Sequence, residues 1–118
     1  MCYHAAYVYQ VREYLLADGT SPFAAWFLSL DTAAASKVQV AVARLELGNL
    51  SRVAWFRGIG EVRIDWGPGL RIYLAQDGPT LLLLLGGGSK RRQQRDIDAA
   101  VSRWEEYRRR RARGEHGA

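Results

Sequence analysis

Two arginines and one lysine stand out for the chemistry they could do: Arg63 in EVRID, Arg71 in GLRIY and Lys90 in GGGSK. Residues 61–66 and 70–76 alternate apolar and polar side chains with the period of a strand, and Gly67-Pro68-Gly69 between them makes a turn. A hairpin that puts Val62, Ile64, Ile72 and Leu74 on one core face must pair odd positions with odd ones. Arg63 is therefore expected opposite Arg71 or Tyr73. Like charges so placed cost from a few tenths to about 1 kcal/mol, a penalty that an anion between them would relieve, and the arginine fork suits a phosphate. The plainer alternative is a solvated sheet face on which Glu61 and Asp65, two residues to either side, neutralise Arg63.

Lys90 brings a second property. Lys37 and Lys90 are the only lysines among 17 basic residues, and lysine, unlike arginine, can lose its proton where burial or nearby cations lower its pKa. Lys90 is thus the candidate general base. Lys90, Arg91 and Arg92 stand where a helix is expected to begin, and there each cation opposes the helix dipole by about 0.3 to 1 kcal/mol unless an anion binds with them. The bland reading is that Gly86, Gly87 and Gly88 form a loop followed by a solvated basic run; the glycines match no phosphate-loop pattern.

The elements that must position these residues can be read from periodicity. Residues 5–15, rich in Tyr and Val, suit a half-buried strand. Ser21-Pro22 is a helix start, and Phe23, Trp26, Phe27 and Leu30 make its buried stripe. Asp31 caps a second helix with a Val38, Ala41, Val42 and Leu45 stripe, ended by Gly48-Asn49. Residues 53–57 form a short strand before the two already described. Residues 80–85 are apolar on both faces, as expected of a strand covered on each side. From Ser89 a last helix buries Ile97, Val101, Trp104 and Tyr107, and its arginine-rich end, residues 108–118, is expected to fray. Trp26 and Trp104 sit on helical stripes and read as core, whereas Trp55 and Trp66 are open to either core or base stacking.

Composition narrows the classes. The chain has 118 residues, a length for one domain spanning 1–118, and with 48% apolar residues it is not globally disordered. Cys2, His4 and His116 cannot make a disulfide framework or a zinc site. The longest apolar run, Leu81 to Leu85, is far short of the roughly 20 residues that span a bilayer, and the N-terminus does not read as a secretory signal. A cytoplasmic protein without membrane contact is expected. The net charge of +5 lies wholly in residues 89–118, with 10 basic and 5 acidic side chains.

Taken in order, several stretches resemble the RelE/ParE superfamily of toxin–antitoxin toxins, in its HigB-like branch of addiction module killer proteins. They are DGTSPFAAWFLSLD, ARLELGNL, GIGEVRIDWGPGLRIYL and LLLLLGGGSKRRQQRDIDAAVSRWEEY, which together cover most of residues 7–107. The resemblance implies an α+β, RelE-like fold: an N-terminal strand, an αα-hairpin, antiparallel strands forming a small twisted sheet, and a C-terminal helix. It implies a ribosome-associated mRNA endoribonuclease that uses no metal or cofactor. Such a toxin is silenced by a HigA-like helix-turn-helix antitoxin, through which it reaches operator DNA indirectly. In this family the substrate's own 2′-OH attacks the adjacent phosphate. Carried over, Arg63 and Arg71 stabilise the phosphate and transition state, Lys90 acts as base or phosphate clamp, and Tyr73 assists with its hydroxyl. Arg57, Arg91, Arg92 and Arg95 are expected to bind RNA. The sequence departs from relatives that transfer protons through histidine, since it has none near the sheet. This keeps open a ParE-like inhibitor of DNA gyrase without nuclease activity, and a non-catalytic RNA- or ribosome-binding domain.

Overall fold

The structure, a computed structural model, describes residues 8–114. The start of the expected first strand, Cys2, His4, His116 and the end of the basic tail lie outside the described residues. Strand β1 (Gln10–Glu13) leads into helices α1 (Pro22–Leu28) and α2 (Thr32–Glu46). Strands β2 (Val53–Phe56), β3 (Ile59–Ile64), β4 (Leu70–Asp77) and β5 (Leu81–Ser89) follow. A single 3₁₀ turn, Lys90–Arg92, then opens onto helix α3 (Gln93–Ala112).

Local chemistry accounts for the helical hairpin. The Ser21 hydroxyl accepts a hydrogen bond from the Ala24 N–H at 3.0 Å with Pro22 in the first turn, and the Asp31 carboxylate accepts one from the Ala34 N–H at 2.8 Å. At the end of α2 the Asn49 N–H reaches back to the Arg44 carbonyl, which requires Gly48 in the left-handed region at φ +90°.

The sheet order is β1-β5-β4-β3-β2. Strands β2 to β5 form an antiparallel meander, but β1 runs parallel to β5, so the sheet is mixed rather than antiparallel throughout. No tight turn joins β1 to β5, and the long intervening chain leaves the pair free to be parallel.

Both faces of the sheet are covered. Val62, Ile72, Leu74, Leu82 and Leu84 pack under Phe23, Val38, Ala41 and Leu45 of the hairpin, while Ile59, Tyr73, Ala75, Leu83 and Leu85 pack under Ile97, Ala100 and Tyr107 of α3. The arginine face is therefore not the solvated face of the plainer sequence reading, because α3 lies on it. Nor do Gly86, Gly87 and Gly88 form a loop: they continue β5 beyond the bulge where Leu84 pairs Leu74 and Gly86 pairs Tyr73. Close approach explains them. A Cβ on Gly87 would collide with the Trp26 ring of α1, and one on Gly88 with the Asp96 carboxylate of α3.

The arginine-rich helix end does not fray at Arg108; α3 runs to Ala112. Two clasps hold it. The Tyr14 hydroxyl donates to Glu106 at 2.6 Å, and Arg110 binds both Glu106 and the Leu15 carbonyl. The Tyr107 hydroxyl donates to Asp77 at 2.7 Å, and Arg111 pairs with the same carboxylate. These contacts tie α3 to the chain just after β1 and to the end of β4. Among the described residues, no helix is long and apolar enough to cross a membrane.

The glycine run yields a direct test. Gly87→Ala should destabilise the chain by about 1 to 3 kcal/mol, the usual cost of overpacking, in a denaturant titration. Combining it with Trp26→Ala should give less than the sum of the two single losses, because the obstructing ring is gone.

Candidate anion site on the arginine face

The β3-β4 hairpin sets the site. Its register places Arg63 directly opposite Arg71 and Glu61 directly opposite Tyr73, with all four side chains on the α3 side of the sheet. The anion between the two arginines is the protein's own. The Glu61 carboxylate accepts from Arg63 Nε at 3.0 Å and from Gln93 Nε2 at 2.9 Å, and Arg71 Nε lies 3.9 Å away. That last separation attracts the charges without making a hydrogen bond.

Burial divides the cluster. The side chains of Glu61 and Arg71 are 1% and 8% exposed, whereas that of Arg63 is 65% exposed. Arg71 is thus a buried residue, not a surface one. Its Nη1 donates to the Gly69 carbonyl at 3.2 Å, while its Nε and the Tyr73 hydroxyl are buried without a hydrogen-bond partner. A buried polar group left unpaired costs about 1 to 3 kcal/mol, and two together on one face mark a place that a ligand could complete. Tyr73 itself is fully buried beneath α3, so its hydroxyl forms the floor of the cluster rather than its rim.

Lys90 reaches the same place from β5. Its backbone N–H donates to the Gly69 carbonyl at 2.9 Å, the same oxygen that Arg71 uses. Gly69 has φ +81°, and a Cβ there would lie 3.1 Å from Arg71 Nη1 and 3.2 Å from Lys90 Cβ. This one glycine therefore gathers the root of Lys90 against the Arg71 guanidinium, and Lys90 itself is exposed. Asp96, in the first turn of α3, lies against Gly88, which is the β5 partner of Arg71.

Charge states follow from these surroundings. Burial works against the Glu61 charge, but hydrogen bonds from Gln93 and Arg63 outweigh it and hold the carboxyl below its ordinary range. With both oxygens engaged and its proton gone at neutral pH, Glu61 holds the arginines in place. Burial, followed by the Glu61 charge, pushes the Tyr73 hydroxyl up, so it stays a donor. Burial raises the Asp96 carboxyl, against the pull of Arg95, Arg92 and Arg103.

The structure gathers Arg63, Arg71 and Tyr73 around Glu61 and brings the backbone and Cβ of Lys90 beside Arg71. Arg91, Arg92 and Arg95 are exposed on the turn and first turn of α3 that follow Lys90. Arg57 is not with them: it sits in the β2-β3 turn, at the other end of β3, at φ +53° and paired with Asp98 at 3.0 Å. Trp55 and Trp66 are exposed on the hairpin side of the sheet, opposite the arginines, and Lys37 Nζ stands 5.0 Å over the Trp66 ring. Sequence reasoning missed Gln93 and Asp96, which join the cluster only because α3 docks there. It treated Glu61 as a surface neutraliser, although Glu61-x-Arg63 on one strand face was a usable sign of their contact.

Compared with known proteins, the chain matches no family model, no curated protein and no solved structure.

The lowered Glu61 carboxyl stabilises the fold fully above its unfolded pKa of about 4.3, and that contribution is lost as pH falls through the lower folded value. Glu61→Ala, which leaves Arg71 buried without a counter-charge, should cost about 3 to 5 kcal/mol at pH 7. The gap between the variant and the parent should narrow in thermal melts taken at successively lower pH, and a gap independent of pH would show that the carboxylate charge is not the source.

Proposed function

We propose that this chain is the toxin of a type II toxin–antitoxin pair: a HigB-like member of the RelE/ParE superfamily that cuts mRNA on the ribosome and is neutralised by a helix-turn-helix antitoxin. The observation that carries the reading is the pairing of Arg63 and Arg71 across one carboxylate, with Lys90 rooted beside Arg71 at Gly69, on a face where Arg71 Nε makes no hydrogen bond. Arg63, Arg71 and the neighbouring Lys90 outnumber the Glu61 and Asp96 carboxylates by one, and the exposed members, Arg63 and Lys90, are able to meet a phosphate.

The reaction asks for what this cluster has. The 2′ oxygen forms a bond to the adjacent phosphorus while the bond to the 5′ oxygen breaks, and negative charge builds on the non-bridging oxygens. Arg63 and Arg71 offset that charge, held ready by Glu61 so that no reorganisation is needed when it develops. Lys90, exposed rather than buried, grips the phosphate beside them and can hand a proton to the departing 5′ oxygen, while the 2′-OH proton passes to water. Arg91, Arg92 and Arg95 extend the positive surface along the start of α3, where the RNA strand would run.

A second reading is inhibition of DNA gyrase by binding alone. It is favoured by the hydrogen bonds from Gln93 and Arg63 to Glu61, which hold that carboxyl below its ordinary range and make it a weak base.

Expression without a partner should stop translation and produce new mRNA 5′ ends within minutes. Lys90→Ala, at an exposed side chain, should slow cleavage by about 10²-fold or more while stability changes by no more than about 0.5 kcal/mol; Arg63→Ala should slow it as much and also cost about 1 to 3 kcal/mol, because it takes a hydrogen-bond donor from the buried Glu61 carboxylate. Growth arrest with intact mRNA and an induced DNA-damage response would instead support gyrase inhibition. Harmless expression with salt-sensitive ribosome binding would reduce the protein to a binding domain.

A further inference from the structure

On the hairpin side of the sheet, a furrow of about 410 Å³ runs where α1 and α2 meet the edge strand β1. Its walls are apolar: Phe23, Phe27 and Leu28 come from α1, Val38 and Val42 from α2. The two phenylalanine rings stack at 6.1 Å, and Leu28 leaves 80% of its surface in solvent. Two carboxylates line the furrow, Glu13 from β1 and Glu46 from α2. Glu13 shares the hairpin face because it pairs with Leu84, whereas Arg12 pairs with Leu83 and so projects to the α3 side. No cationic side chain therefore stands on this face to match the two acids, and among the described residues neither makes an ion pair. Glu46 is half-buried and is the last residue of α2, where the negative end of the helix dipole disfavours a further anion and favours a cation. Arg44, the basic residue of that last turn, faces the β2 edge instead.

We propose that this furrow binds an amphiphilic amine, a small molecule with one ammonium group on an apolar body. The charge sets the sign of the ligand. Two unmatched carboxylates and a helix C-terminus repel phosphates and fatty acids alike, and attract a cation. The apolar walls set its kind. A hard divalent cation needs about six or more oxygen ligands, and the described residues offer no group of three acids, histidines or cysteines to hold one. An ammonium group can instead donate charge-assisted hydrogen bonds to Glu13 and Glu46 while its hydrocarbon displaces water from Phe23, Phe27 and Val42. The size agrees: small-molecule pockets run from roughly 300 to 1,000 Å³, apolar with a few polar groups, and this one has the volume of about a dozen waters, the space of a short hydrocarbon chain. The inference goes beyond the functional reading above and does not depend on it, since the furrow and the arginine cluster lie on opposite faces of the sheet.

The test titrates the full ¹⁵N-labelled chain with butylammonium, hexylammonium and octylammonium, and with octanoate as the control of opposite charge, following backbone amide shifts by NMR. Octylammonium should shift amides of α1, of the second half of α2 and of β1 saturably, and affinity should rise by up to about fourfold with each added methylene. Octanoate should leave those amides in place. Glu13→Gln and Glu46→Gln should each weaken octylammonium at least threefold, and the double variant at least tenfold, with the remaining amide spectrum showing that the fold is kept. The proposal is overturned if no saturable shift appears, if the shifts map elsewhere, if affinity ignores chain length, if octanoate binds as well as octylammonium, or if binding survives the double substitution. A leucine-lysine helical peptide that shifts the same amides at least tenfold more tightly than octylammonium would overturn it in favour of a protein groove.

Discussion

A carboxylate buried between two opposed arginines organises this protein. Glu61 lies beneath α3 with Arg63 on one oxygen and Gln93 on the other, and Arg71 is held close by charge alone. Without Glu61, the register that places Arg63 against Arg71 would set two like charges side by side on a face with little solvent, where their repulsion is poorly screened. With it, the hairpin closes, the first turn of α3 gains a contact through Gln93, and the sheet keeps a net positive spot at one end.

That arrangement also joins stability to chemistry. The residue that neutralises the arginines in the folded state is the one that keeps them in position for an external anion, so a phosphate would enter a frame already built. The cost is visible in the same place. Arg71 Nε and the Tyr73 hydroxyl make no hydrogen bond of ordinary geometry and meet Glu61 through its charge, an imperfection that a core selected only for stability would not need to keep.

The two faces of the sheet divide the remaining work. One is closed by α3, which tyrosine, carboxylate and arginine clasps tie to the chain after β1 and to the end of β4. Of the basic run that looked like a solvated tail, Arg110 and Arg111 are therefore fixing groups rather than free charge. The other face is closed only in part, because the helical hairpin covers β3 to β5 and leaves the β2 edge open. The result is a protein with a polar, charged site on its closed side and, on its open side, a trough of about 280 Å³ lined by Val40, Val53, Val62 and Ile64 beside Lys37, Arg44 and Arg52.

How much of this was legible in the sequence depends on the range of the interaction. Helix caps at Ser21 and Asp31, the stripes of all three helices and the odd-with-odd register of Arg63 and Arg71 were readable, because each follows from periodicity or from a side chain meeting backbone a few residues away. The direction of β1, the strand conformation of Gly86 to Gly88, the burial of Arg71 and the entry of Gln93 and Asp96 into the site were not. Each depends on which element lies on which face of the sheet. A run of glycines reads as a loop until Trp26 and Asp96 are known to press on it from opposite sides, and an arginine on an alternating strand reads as solvated until a helix covers it. Sequence alone determined which residues could meet on one strand face; only the docking of α1 and α3 decided which of them water could reach.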